Sequence, residues 1–345
     1  MRNLKLTDIR QFQIFETGTP EPGPGEVLVR ADAVGICGSD IHNFQDGGIG
    51  TAKIPFPFTL GHETAGTVVA LGDGVTCLKE GARVTIEPGI SCGVCRLCQH
   101  GHPNLCPNIR FHGSPPVEGT LREYFAHPAK LCIPIPDSMS MGEGVFIEPL
   151  ALGVHIANLM KLKPAMSVAI LGCGPVGMSA LMTARACGAG NIYVADLYEY
   201  RLDIARQHGA DEAINASGGG APEQIMELTG GEGVDIAVEA TTDANAPNQA
   251  AQCVRIGGTV CVAGIVTEQY ISLDTHIARR KGLVVKWLRR SKHSVEAAIE
   301  LVESGRISLD GLISHHLPLA ETQKGFELVE SYTDGVFKVI IEPQK

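Results

Sequence analysis

Residues 167–288 carry the pattern that most restricts how this chain can fold. Five apolar runs of buried-strand type stand there: SVAIL (167–171), NIYVAD (191–196), DEAIN (211–215), VDIAVEA (234–240) and GTVCVAG (258–264). A sixth, LVVKWL (283–288), has the same character. Helix-like stretches at 176–186, 199–208, 222–228 and 244–254 separate most of them. Strands that alternate with helices form a parallel sheet covered on both faces, because each crossover lays its helix on a sheet face. Six such strands predict an α/β, doubly wound dinucleotide fold of the Rossmann kind.

A glycine fingerprint falls where that fold needs it. Gly172, Gly174 and Gly177 form G-x-G-x-x-G directly after SVAIL and at the start of a helix. The first glycine permits the tight turn, the second lets the backbone approach a pyrophosphate, and the third lets helix and strand pack closely. Pro175 and Val176 open the helix, whose N-terminal N–H groups and partial positive charge suit phosphate. Asp196 ends the next strand, nineteen residues beyond Gly177. A carboxylate there accepts hydrogen bonds from ribose hydroxyls and repels a 2′-phosphate, so NAD is expected over NADP. Arg201 lies close by in sequence and could instead favour a phosphate.

The first 150 residues read differently. They are rich in Gly and Pro. In GEVLVRADAV, Val27, Val29 and Ala31 alternate with Leu28, Arg30 and Asp32. ETAGTVVALG and GARVTIEP are further strand candidates bounded by glycine. No long helical period is evident there, so a barrel-like antiparallel β domain is expected. After residue 288, Val295, Ala298, Ile299 and Val302 mark an amphipathic helix that stops at Gly305. The closing VFKVIIEP reads as a strand that returns to the first domain. The boundaries expected are 1–150, 151–288 and 289–345. Residues 164–184 are uncharged, but four glycine and proline residues sit mid-stretch, and a strand-turn-helix explains them better than a membrane span.

Cysteine usage points to metal. The chain has eleven cysteines, and four of them, Cys92, Cys95, Cys98 and Cys106, fall within fifteen residues as C-x2-C-x2-C-x7-C. Without an apolar leader at the N-terminus, cytoplasm is the expected location and ligation is favoured over disulfides. Four thiolates close a tetrahedral zinc shell and leave no open position, so this site is expected to be structural. The rival readings are redox thiols or an iron–sulfur cluster, whose ferredoxin-like spacings end in a shorter gap or open with a longer one. A net charge of −10 opposes nucleic-acid phosphates. A second group is spread along the chain: Cys37 in GICGSDIH, and His62 and Glu63 in GHE. Three ligands of mixed type would leave one position of a zinc ion open for substrate.

The stretch GHETAGTVVALGDGV, followed by the four-cysteine loop and then the glycine turn, resembles the zinc-containing medium-chain dehydrogenases of the alcohol dehydrogenase superfamily. CGSDIH, PPVEGTLREYFAHPAKLC and IEPLALGVH are most similar to the sorbitol, or polyol, dehydrogenases. The resemblance covers essentially the whole chain. It implies a GroES-like β-barrel catalytic domain made from both chain ends, with the Rossmann domain between them. It implies Cys37, His62 and Glu63 as catalytic zinc ligands. Glu148 is implied either as a ligand or as the residue that holds water at the metal. Arg201 is implied to lie along the adenine.

Ser39 and His42 are implied as a proton relay, with Asp40 orienting its neighbours. Phe111 is expected to wall the substrate pocket, and Arg289 to hydrogen-bond polyol hydroxyls. Arg290, standing where relatives carry tyrosine, would admit an acidic or phosphorylated substrate. The expected reaction moves a hydride between a secondary alcohol and NAD, with two zinc ions per subunit in a homodimer or homotetramer. Rival readings are an L-threonine 3-dehydrogenase or butanediol dehydrogenase on the same scaffold, a zinc-free quinone or enoyl reductase, and a nonenzymatic zinc-binding module. The cysteine loop argues against the zinc-free reading, and the intact nucleotide fingerprint argues against the last.

Overall fold

The computed structural model describes residues 1–345, and the chain divides into two compact units. The first comprises Met1–Glu148 with Leu309–Lys345, the second Pro149–Ser308.

The first unit is built on a seven-stranded sheet. Its path runs Cys132–Pro134, Arg83–Ile86, Glu63–Leu71, Glu26–Gly35, Val339–Glu342, His315–Pro318, and Tyr124–Pro128 also pairs with Glu26–Gly35. All these pairings are antiparallel except His315–Pro318 with Val339–Glu342. The alternation read in GEVLVRADAV is realised: Val27, Val29, Ala31 and Ala33 are all buried. They join Leu60, Val68, Val84, Phe125 and Ile341 in the core. The C-terminal strand therefore does return to the first unit, with Ile340 opposite Gly35.

The second unit holds a six-stranded, fully parallel sheet in the order Glu212–Asn215, Ile192–Asp196, Val168–Leu171, Val234–Glu239, Val254–Val262, Val284–Trp287. In chain order this is 3-2-1-4-5-6, the doubly wound arrangement whose direction reverses between the first and fourth strands. Helices Pro175–Ala186, Glu199–Gln207, Ala221–Leu228 and Ala246–Cys253 supply the crossovers. Residues 164–184 are part of this strand-turn-helix, and no helix of the chain is long and apolar enough to cross a membrane.

The structure adds helices where no long helical period is evident, and it places one boundary elsewhere. The first 150 residues do contain helix: Gly38–Asp46, and the opening turns of Met141–Met160. The first is short and its sequence, GSDIHNFQD, has little apolar period, so its stability comes from its cap and from burial of Ile41 and Phe44. The second is apolar nearly all round and is interrupted by Pro149, which blurs the period. The tail boundary also moves from 289 to 309. Helix Val295–Glu303 buries Val295, Ala298 and Ile299. Beyond it, Arg306 donates to the Ala186 carbonyl at 2.6 Å, which ties this stretch to the second unit.

Candidate metal centres and nucleotide turn

In the first unit Cys37, His62 and Glu63 come together. One ligand atom from each lies within 4.8 Å of the others. Cys37 is the N-cap of helix Gly38–Asp46, and Asp40 in its first turn accepts from the Cys37 N–H at 3.2 Å. That bond satisfies one of the free donors at the helix start and fixes the loop that carries the thiol. The other Asp40 oxygen accepts from the Gly61 N–H at 3.3 Å and stands 3.6 Å from His62 Nδ1. One buried carboxylate thus bridges the Cys37 and Gly61–His62 segments.

Glycines make room for the group. Gly61 has φ of +94°, and a Cβ there would press on Val34, Leu121 and Thr120. Gly35, opposite Glu63 in the sheet, leaves space for the Glu63 carboxylate, which a Cβ would meet at 2.4 Å. That carboxylate has a partner the sequence reading did not name. Lys338 is fully buried, with Nζ 2.5 Å from Glu63 Oε2 and 3.1 Å from the Ile36 carbonyl. The signal for it was a lone lysine inside the apolar run VFKVIIEP.

The electrostatics of the group call for a cation. Burial alone would push the His62 imidazole down, but the Asp40 and Cys37 charges prevail and hold it well above its ordinary range. Glu148, on helix Met141–Met160, is pushed up to about 8 by burial and by the Glu63 and Glu87 charges, against the pull of His62 and Lys338. Thiol, imidazole and crowded carboxyls are a donor set that suits zinc, and a dication would relieve the repulsion among the anions. Glu148 is buried beside the trio without joining it at the same close spacing.

Ser39 and His42 lie three residues apart on helix Gly38–Asp46, hence on one face. Ser39 is half-buried; His42 is buried, with Nδ1 3.9 Å from Asp46, whose side chain is half exposed. The Phe111 ring centroid is 5.2 Å from that of His62.

The four-cysteine loop forms a second centre in the first unit. Sulfur–sulfur distances are 3.5 Å for Cys95–Cys98 and Cys92–Cys106, and 3.9 Å for Cys95–Cys106. All four thiols are free of disulfides. Thiolates about 2.3 Å from a tetrahedral zinc ion stand about 3.8 Å apart, so the spacing fits that ion. Backbone N–H groups of Cys92, Cys95 and Cys98 donate to neighbouring sulfurs. The Val94 and Cys95 N–H groups, with the Cys106 thiol, lower the Cys92 thiol to about 6.

The second unit places the candidate nucleotide-binding residues together. Gly172 has φ of +93°, and a Cβ on Gly177 would lie 1.8 Å from the Gly172 carbonyl oxygen. Gly174 caps helix Pro175–Ala186 and has open space apart from Arg201 Nη1, which its Cβ would meet at 3.8 Å. Asp196 accepts from the Cys173 N–H at 2.7 Å and the Tyr198 N–H at 3.0 Å. The Arg201 guanidinium lies over the Tyr198 and Tyr200 rings, with Nη1 4.0 Å from Asp196. Arg289 is exposed two residues past strand Val284–Trp287, and Arg290 adopts φ of +55°.

Residues 23–137 match the family model described as alcohol dehydrogenase GroES-like domain, and residues 175–304 match that of zinc-binding dehydrogenase. The chain is 35% identical to sorbitol dehydrogenase of Bacillus subtilis, over all of this chain and 98% of that one. Among solved structures, an Escherichia coli oxidoreductase of unknown specificity superposes with a TM-score of 0.93 at 33% identity, covering 99% of this chain and 98% of that one. A zinc-binding dehydrogenase of Sinorhizobium meliloti bound to NADP superposes with a TM-score of 0.90 at 31% identity, covering 99% of both chains.

Proposed function

The chain belongs to the zinc-binding dehydrogenases of the alcohol dehydrogenase family, and we propose that it oxidises a secondary hydroxyl of a polyol to the ketose, with NAD as the hydride acceptor. The observation that carries this reading is the convergence of Cys37, His62 and Glu63, a thiol, an imidazole and a carboxylate from separate segments. The polyol class draws on the sorbitol dehydrogenase relative.

Zinc supplies Lewis acidity that eases proton loss from a hydroxyl, and nicotinamide supplies the hydride acceptor. Cys37, His62 and Glu63 hold the metal, with Glu148 as the adjoining carboxyl. Asp40 fixes the thiol loop and the imidazole, and Lys338 fixes Glu63. Ser39 Oγ takes the proton as it leaves the substrate, and His42 passes it toward solvent beside Asp46. Phe111 keeps water from one side of the imidazole. Arg289 binds polyol hydroxyls. Cys92, Cys95, Cys98 and Cys106 hold a second, structural zinc.

In the second unit Gly172, Gly174, Pro175, Val176 and Gly177 cradle the pyrophosphate, and Asp196 binds the adenosine ribose. Asp196 favours NAD, while Arg201 lies along the adenine. Strand Val284–Trp287 forms a sheet edge with Val284 and Trp287 exposed, which favours association with a second copy as a homodimer or homotetramer. A cytoplasmic enzyme accords with the free cysteines.

The test is reduction of NAD by the purified, zinc-loaded protein over a panel of polyols, diols, sugar acids and threonine. Turnover with a polyol is expected. Turnover confined to threonine or to a 2,3-diol would replace the substrate class, and equal or better rates with NADP would overturn the cofactor assignment.

A further inference from the structure

Glu239 closes strand Val234–Glu239 and is wholly buried. It pairs with Leu171, the residue before the glycine turn, across the point where strand order reverses. Ligands of doubly wound sheets bind in the crevice beyond the strand ends at that point. A carboxylate is costly to bury there without donors. This one has three. The Thr241 N–H and hydroxyl donate to Oε1 at 2.6 and 2.8 Å, and the Gly264 N–H donates to Oε2 at 3.3 Å.

The backbone carbonyl of the same residue accepts from the N–H groups of Ala263 and Gly264, at 2.7 and 3.1 Å. Glu239 therefore ties the loop after its own strand to the loop after strand Val254–Val262. Those loops are closely fitted to each other and to the glycine turn. A Cβ on Gly264 would lie 2.0 Å from the Thr241 carbonyl, and one on Gly172 would lie 2.7 Å from that of Ala240. No residue of the glycine fingerprint makes this tie.

We infer that Glu239 is a positioning residue for the nicotinamide cofactor: its carboxylate sets the spacing of the two loops that bound the crevice beside the glycine turn. This rests on the dehydrogenase reading above. A residue with this role acts on cofactor binding and leaves binding of the alcohol alone. Glu239→Gln keeps an acceptor for Thr241 but turns an N–H toward the Gly264 N–H, so the side-chain tie to the second loop is lost and only the backbone carbonyl of residue 239 still holds it.

The experiment uses full-length, zinc-loaded protein and NADH as probe, with binding read by fluorescence and turnover by NAD reduction. Glu239→Gln should weaken NADH binding by about tenfold or more, the loss expected for a hydrogen bond to a charged group. KM for NAD should rise while KM for the alcohol stays as in the wild type. Thr241→Val, which removes one donor, should show a smaller loss in the same parameter. Wild-type NADH affinity in a folded Glu239→Gln protein would overturn the inference. Should that variant fail to fold, wild-type affinity in Thr241→Val would do so. Wild-type protein that binds no NADH would overturn the dehydrogenase reading as well, which separates the two failures.

Discussion

Lys338 shows how much one side chain decides at the proposed catalytic centre. An ammonium group buried without a partner would be strongly disfavoured, and so would the Glu63 carboxylate. Each is compensated in large part by the other, 2.5 Å away, with the Ile36 carbonyl as a second partner of Lys338. Lys338→Met should therefore cost about 3–5 kcal/mol, the usual penalty for removing one half of a buried pair. Urea unfolding of the two proteins measures it, and a loss below about 1 kcal/mol would refute the pairing. Lys338 could be noticed in sequence as a charge in an apolar run, but its partner could not, because Glu63 lies 275 residues away. Cys37→Ala makes the complementary prediction. It should abolish turnover yet leave the chain folded, with cooperative unfolding at a lowered midpoint, because the four-cysteine cluster uses other residues. Calorimetry and an activity assay on one preparation decide it.

Among elements, the four-cysteine loop was legible from spacing alone, because its thiols are close in sequence and the loop brings all four together. The glycine turn was legible for the same reason: Gly172 takes a positive φ, and Gly177 packs against the Gly172 carbonyl. Gly177→Ala would set a methyl 1.8 Å from a carbonyl oxygen, so the turn must open. NADH binding should then fall below detection while the zinc content is unchanged.

Helix Gly38–Asp46 was not legible, since it depends on a cap and on burial more than on period. A buried histidine pair was also missed. His112 Nε2 and His127 Nδ1 are 3.0 Å apart, and their outer nitrogens meet the Glu118 and Glu87 carbonyls. Burial pushes His112 down to about 4, and burial with the neighbouring His112 pushes His127 well below its ordinary range. A histidine whose folded pKa lies below its unfolded value stabilises the fold above about pH 6.5 and loses that contribution as pH falls toward the folded value. For His112 the loss between about pH 6.5 and about pH 4 is on the order of 3 kcal/mol. Unfolding free energy measured across that window should fall more steeply in the wild type than in His112→Asn; equal slopes would contradict the account.

At the scale of the whole molecule, the order of segments was readable and the partition only partly so. Six strands, their parallel pairing and the return of the C-terminal strand follow from apolar runs and connection rules. The boundary at 309 does not, because an amphipathic helix such as Val295–Glu303 shows that it needs a core without showing which one. The proposed catalytic centre shares this character. Cys37 and His62 are unremarkable singly and become a candidate metal site only when folding brings them together. Resemblance supplied that pairing at the level of sequence, and the geometry now gives it a physical basis.

The most direct test of the central claim is therefore a count of bound metal. Zinc per chain should be measured by elemental analysis in the wild type and in a Cys37→Ala/His62→Ala variant, together with NAD-linked oxidation of polyols. One ion per ligand group gives two per chain in the wild type and one in the variant, with polyol turnover lost along with the missing ion. A variant that kept two ions per chain, or kept wild-type turnover with one, would contradict the account.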